Sequence, residues 1–131
     1  MIADSSAWIE FLRGRRSAAA RRLEGALRAS ETILMPDIVF QEVLQGASDT
    51  QHFLILQEQL EAVTPLTLAA PRETARHAAW IYAKCRWAGV TLRSPNDCLI
   101  ACCAVEADAP LLHADRDFER IAAVEPRLRF A

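Results

Sequence analysis

The chain opens MIADSSAWIEFLRG (residues 1–14): a brief apolar start, an acid at Asp4, then Trp8, Ile9 and Leu12 at helical spacing up to Gly14. Apolar residues recurring every three or four positions mark one face of a helix, and glycine is a common stop signal. The stretch therefore reads as a short strand, MIA, passing through Asp4 into a short helix. A carboxylate at that junction either caps the helix or belongs to a site whose other parts lie further along the chain.

The same alternation continues. SAAARRLEGALRAS (17–30) sets Ala20, Leu23 and Leu27 on one helical face with arginines opposite, and TILMP (32–36) reads as a buried strand leading into the helix DIVFQEVLQGA (37–47). DTQHFLILQEQLEAV (49–63) predicts a further helix and TPLTL (64–68) a strand. PRETARHAAWIYAKCRWAG (71–89) is a long helix opened by proline and closed by Gly89. VTLRSPNDCLIACCAVEADA (90–109) gives a loop and an apolar helix, APLLHAD (109–115) a strand, RDFERIAAV (116–124) a short helix and LRF (128–130) a last strand. Short apolar strands alternating with helices predict an α/β fold, a mainly parallel central sheet with helices on both faces.

With 131 residues, 52% hydrophobic and 24% charged, the chain fits one domain, 1–131, rather than a disordered or fibrous class. A net charge of −2 supplies no global basic field of the kind that announces a nucleic-acid binder. Lys84 is the only lysine, every other basic residue being arginine. Neither a secretory leader nor a membrane-length apolar run is evident, so the expected setting is cytoplasmic, without membrane contact. Cys85, Cys98, Cys102 and Cys103 contain no C-x-x-C pair, and Cys98 and Cys102, one helical turn apart, read as small core residues.

Asp4 follows MIA, Glu42 lies on the helix after TILMP, Asp97 begins the helix of SPNDCLIA (94–101), and Asp115 and Asp117 follow PLLHA. In parallel α/β sheets, sites form beyond the carboxyl ends of the strands, so these acids are expected to converge in one crevice. Each has a local explanation: Asp4 and Asp115 as helix caps, Ser94-Pro95-Asn96-Asp97 as a capping box, Glu42 as a solvated side chain. Together they would repel one another unless a cation intervened. Carboxylates select a hard ion, Mg²⁺ or Mn²⁺, and phosphodiester chemistry follows from such a centre.

Four motifs in order, D-S-S-x-W-I near the start, Q-E-V-L-Q-G (41–46), N-D-C-L-I-A (96–101) and L-L-H-A-D-R-D-F-E-R (111–120), resemble PIN-domain ribonucleases, in particular the VapC-type toxins of bacterial toxin–antitoxin pairs. The resemblance spans essentially the whole chain. It implies that Asp4, Glu42, Asp97 and one or both of Asp115 and Asp117 are metal-binding catalytic acids, with Ser6 as a supporting hydroxyl. It also implies cleavage of RNA by metal-activated water, a small antitoxin partner and a homodimer. His113 departs from the serine or threonine usual two residues before the acid of the last motif.

Arg13, Arg15, Arg16, Arg21 and Arg22 read equally as an RNA-backbone track or as a solvated helix face. The apolar residues Trp8, Ile9, Leu12, Phe53, Leu54 and Leu60 exceed what so small a core needs, and suggest a groove for an amphipathic antitoxin helix. A haloacid-dehalogenase phosphatase would need a second acid at position 6, where the chain has Ser6. A phospho-receiver domain would need an early acidic pair and a late lysine. The remaining alternatives are a nuclease outside a toxin system, acting on RNA or DNA, and a non-catalytic binding module. A pure binder, however, gains nothing from mutually repelling carboxylates.

Overall fold

Two buried two-residue strands, β1 (Ile2–Ala3) and β4 (Leu111–Leu112), with the partly buried β2 (Leu34–Met35) and the exposed β3 (Thr64–Pro65), form a sheet in the order β3-β2-β1-β4. A computed structural model describes all residues 1–131. β1 pairs parallel with β2, Ile2 opposite Leu34, and β2 pairs parallel with β3, Leu34 opposite Thr64. Parallel strands need crossovers, and the helices supply them: α1 (Ser5–Leu12), α2 (Ala18–Arg28), α3 (Asp37–Leu44), α4 (Thr50–Glu61), α5 (Pro71–Trp87), α6 (Pro95–Glu106) and α7 (Asp117–Val124). The α/β reading holds.

The chain divides into two compact units, residues 1–67 with 112–114, and residues 68–111 with 115–131. In the first, α1 packs on α2 and α3, and α3 on α4. Ile2, Ala3, Ala7, Leu23, Ala26 and Val39 are fully buried there. Trp8 and Leu60 are also buried, at 3% and 2% exposure, and belong to the core. Leu12, Phe53, Leu54 and Ile55 remain exposed. The helix stops are as predicted: Gly14 and Gly89 take φ of +68° and +81°, a region glycine enters without a Cβ clash.

In the second unit α5, α6 and α7 pack on one another around Ile81, Cys85, Ile100, Phe118 and Ile121. Cys98 and Cys102 are core residues as expected, burial pushing both thiols up to about 12. LRF does not form a strand. Only Phe130 bridges Leu111, while Leu128 turns inward to the core. Apolar alternation over three residues is too short to hold a ladder once Leu128 has a core to fill.

Buried Glu125, just past α7, accepts hydrogen bonds from Arg127 Nε and Nη2 at 2.8 and 3.0 Å and meets His77 of α5 at 2.9 Å. The Arg127 hydrogen bond is the main cause holding the Glu125 carboxyl down to about 2. A depressed carboxyl stabilises the fold above its unfolded value near 4.5 and loses that contribution as pH falls toward 2. Glu125→Gln is therefore expected to cost about 1–2 kcal/mol at neutral pH. In thermal melts, its deficit against wild type should shrink progressively below the ordinary carboxyl range.

Candidate metal centre

Asp4 ends β1 and begins α1, so it is placed by sheet and helix together. Its N–H donates to Leu112 O at 2.9 Å, extending the β1–β4 edge, and its Oδ1 accepts the Ala7 N–H at 3.0 Å as the helix N-cap. The cap predicted from sequence is thus real, and it leaves the carboxylate's second oxygen for other partners. Ser6 Oγ lies 2.8 Å from both Asp4 oxygens and accepts the Ala114 N–H at 2.9 Å. Burial raises the Asp4 pKa; the Ala7 N–H, the Ser6 hydroxyl and N–H, and the electrostatic influence of His113 pull it back.

Glu42, on α3, is half-buried, and its Oε1 accepts from Ser5 Oγ at 2.8 Å. Adjacent serines at the start of α1 therefore orient the two acids of this unit, Ser5 holding Glu42 and Ser6 holding Asp4. Ser5 carries a role that the sequence reading passed over. The signal available was its position beside Asp4, but nothing local names a partner 37 residues away.

In the second unit the acids sit at two helix starts. Ser94 caps α6 by accepting the Asn96 N–H at 3.2 Å, Pro95 takes the first helical position, and Asp97 follows in the first turn. Acids there are favoured by the partial positive charge of the helix N-terminus. Asp115 Oδ1 accepts the Asp117 N–H at 3.0 Å, although the N-cap position of α7 belongs to Arg116 and not to Asp115 as expected, and Asp117 opens α7 with only 2% of its surface exposed. Asp97, Asp115 and Asp117 each bring an oxygen within 4.8 Å of the others. Such a set fits a hard divalent ion and suits no soft metal.

Two arginines offset this charge. Arg93 donates its backbone N–H to Asp117 Oδ2 at 3.0 Å, and its guanidinium reaches Asp115 Oδ1 at 2.5 Å and Asp117 Oδ2 at 3.5 Å. Arg120 lies 3.4 Å from Asp117 Oδ1. The hydrogen bond to Asp115 is the first cause of a raised Arg93 pKa. Arg93 is the second residue that the sequence reading did not single out.

The PIN-domain family model matches residues 1–124. The chain belongs to the PIN-domain family. Among curated PIN relatives, the VapC ribonuclease Mb1587 of Mycobacterium bovis and ribonuclease VapC11 of Mycobacterium tuberculosis are each 35% identical over 125 residues, 95% of this chain and 92% of theirs. Solved PIN-like folds include VapBC2 of Rickettsia felis, crystallised bound to a DNA fragment from its promoter, with a TM-score of 0.69 at 18% identity over 99% of this chain and 96% of that one. FitAcB of Neisseria gonorrhoeae gives a TM-score of 0.67 at 19% identity over the same shares. No helix of this PIN protein is long and apolar enough to cross a membrane.

A raised carboxyl pKa means that ionising Asp4 opposes folding: the penalty is absent below its unfolded value and present in full once pH exceeds the raised one. Asparagine caps as well as aspartate and carries no charge. The melting temperature of metal-free Asp4→Asn minus that of wild type is therefore expected to be greatest at neutral pH and to decline as pH falls through the carboxyl range. A flat difference would show that burial imposes no charge penalty on Asp4.

Proposed function

We propose that this chain is a Mg²⁺- or Mn²⁺-dependent endoribonuclease acting as the toxin of a toxin–antitoxin pair. The observation that carries the reading is the convergence of Asp97, Asp115 and Asp117 in a chain of the PIN family. The VapC ribonucleases that match most of its length support RNA as the substrate. Asp97, Asp115 and Asp117 would hold the ion, and the motif resemblance adds Asp4 and Glu42 to the same catalytic set.

When bound, a hard divalent cation activates water and neutralises charge developing on the phosphate. The chain's own residues supply the rest. Ser6 and the Ala7 N–H keep the Asp4 carboxylate in one orientation, and Ser5 does the same for Glu42. The Asp117 carboxylate is fixed from two sides by the Arg93 N–H and by Arg120, and its own N–H secures Asp115. Such bracing lets the acids hold their positions at little further ordering cost.

The proposal includes a small antitoxin, a homodimer and a cytoplasmic setting. VapBC2 and FitAcB, as structures of related fold, support the antitoxin, as does a groove in the first unit lined by Ile9, Leu12, Val43, His52 and Leu56 beside exposed Phe53 and Leu54. That groove sets Ile9, Leu12, Val43 and Leu56 beside Arg13 and His52, a mixed apolar and polar lining that suits an amphipathic helix. Exposed Trp80 and Trp87 on α5, stacked edge to face at 5.7 Å, offer an apolar face to a second copy.

Single-stranded RNA is expected to be cut in Mg²⁺ or Mn²⁺ and left intact in chelator, with Asp97→Asn or Asp115→Asn slowing cleavage by at least about a hundredfold. Asp97→Asn should melt no lower than wild type without metal, because it relieves carboxylate repulsion. Unchanged cleavage in either variant would remove that residue from the centre. Cleavage of single-stranded DNA at the RNA rate would reassign the substrate.

A further inference from the structure

The acids of the second unit already have a cation among them, and it is part of the chain. Arg93 is fastened by its backbone, through the N–H bond to Asp117 Oδ2, while its side chain is 73% exposed. The guanidinium nonetheless folds back to Asp115 Oδ1 and Asp117 Oδ2, which belong to the same carboxylates that converge with Asp97. A residue anchored by backbone and free in side chain can leave these oxygens without disturbing the fold. Arg120 differs: it reaches only Asp117, from one turn along α7, at 3.4 Å.

We propose that Arg93 is a displaceable internal counter-ion: its guanidinium neutralises the metal-free acid cluster, competes with the divalent cation for Asp115 and Asp117, and so sets the metal concentration at which the centre loads. The inference rests on the metal-dependent reading above and deepens it. An exposed arginine–carboxylate contact is weak enough to be exchanged, being screened by solvent and costly in side-chain entropy. Carboxylate oxygens gain more from a divalent ion than from one delocalised charge. Release of the arginine is therefore favourable once metal is available, but every loading event must overcome it. An acid cluster with no internal cation would load at lower metal concentration and would be less stable when empty.

The test is calorimetric titration of the full chain with Mn²⁺ alone, no RNA being present, for wild type, Arg93→Gln, Arg93→Lys and Arg120→Gln. Arg93→Gln is expected to bind Mn²⁺ about three- to tenfold more tightly than wild type, the range set by loss of one partly solvated competing charge. Arg93→Lys, which keeps the charge and loses the planar fork, should fall between them. Arg120→Gln should change affinity less than Arg93→Gln. Thermal melts supply the independent readout: metal-free Arg93→Gln should melt about 2–5 °C below wild type, and saturating Mn²⁺ should erase the difference.

Unchanged or weaker Mn²⁺ binding in Arg93→Gln would overturn the inference while leaving the metal-dependent reading intact. A melting deficit that persists in saturating Mn²⁺ would do the same, by showing an ordinary structural ion pair. Equal tightening in Arg120→Gln would replace exchange at Arg93 with a general charge effect. If wild type binds no Mn²⁺ at all, the metal-dependent reading falls and this inference falls with it.

Discussion

The Ser6 hydroxyl is the contact on which the placement of Asp4 depends. It donates to the Asp4 carboxylate and accepts the N–H of Ala114, joining the end of β1 to the segment after β4 across 108 residues of sequence. β1 is two residues long, so its backbone ladder alone is a weak anchor for a carboxylate that must stay in one place. Full burial of Ile2 and Ala3 fixes the strand, the Asp4 N–H extends it to Leu112, and the Ser6 and Ala7 contacts then fix the side chain. Burial drives the Asp4 pKa upward even so. Several donors thus hold in place a carboxylate whose ionised form burial disfavours.

Charge compensation separates the candidate centre from the rest of the surface. Arg22 with Glu31 and Arg76 with Glu73 are exposed pairs between single charges, which contribute little beyond solubility. They also commit Arg22 to a carboxylate, which weakens its candidacy as part of an RNA track. Around Asp115 and Asp117, by contrast, Arg93 and Arg120 meet carboxylates that converge with a third at Asp97.

The order of elements, the caps and the acids could all be read from the sequence because each is written in residues close together. Helical periodicity repeats every turn, Gly14 and Gly89 supply left-handed stops, and Ser94-Pro95 announces the start of α6 within two positions. Asp4 and Asp115 were legible for the same reason, each following its own apolar run, whereas Asp97 opens α6 after a loop and not after a strand. Cap and ligand are compatible roles for Asp4, because one carboxylate has enough oxygen lone pairs to serve the Ala7 N–H and another partner as well.

Tertiary structure decided what depends on partners distant in the chain. Ser5 meets Glu42 across 37 residues and Arg93 meets Asp115 across 22, and no local pattern specifies either pairing. The fates of Trp8, Leu60 and LRF were settled in the same way. Hydrophobicity says that a side chain favours burial but not whether the available core has room for it, so Trp8 and Leu60 went inside while Phe53 and Leu54 stayed out. LRF had the composition of a strand, but Leu128 filled the core and left Phe130 a single bridge to Leu111. The sequence by itself determined which chemical groups the protein carries and the local elements that bear them; packing determined which of those groups meet, because contact between residues far apart in the chain depends on the whole set of buried surfaces being satisfied at once.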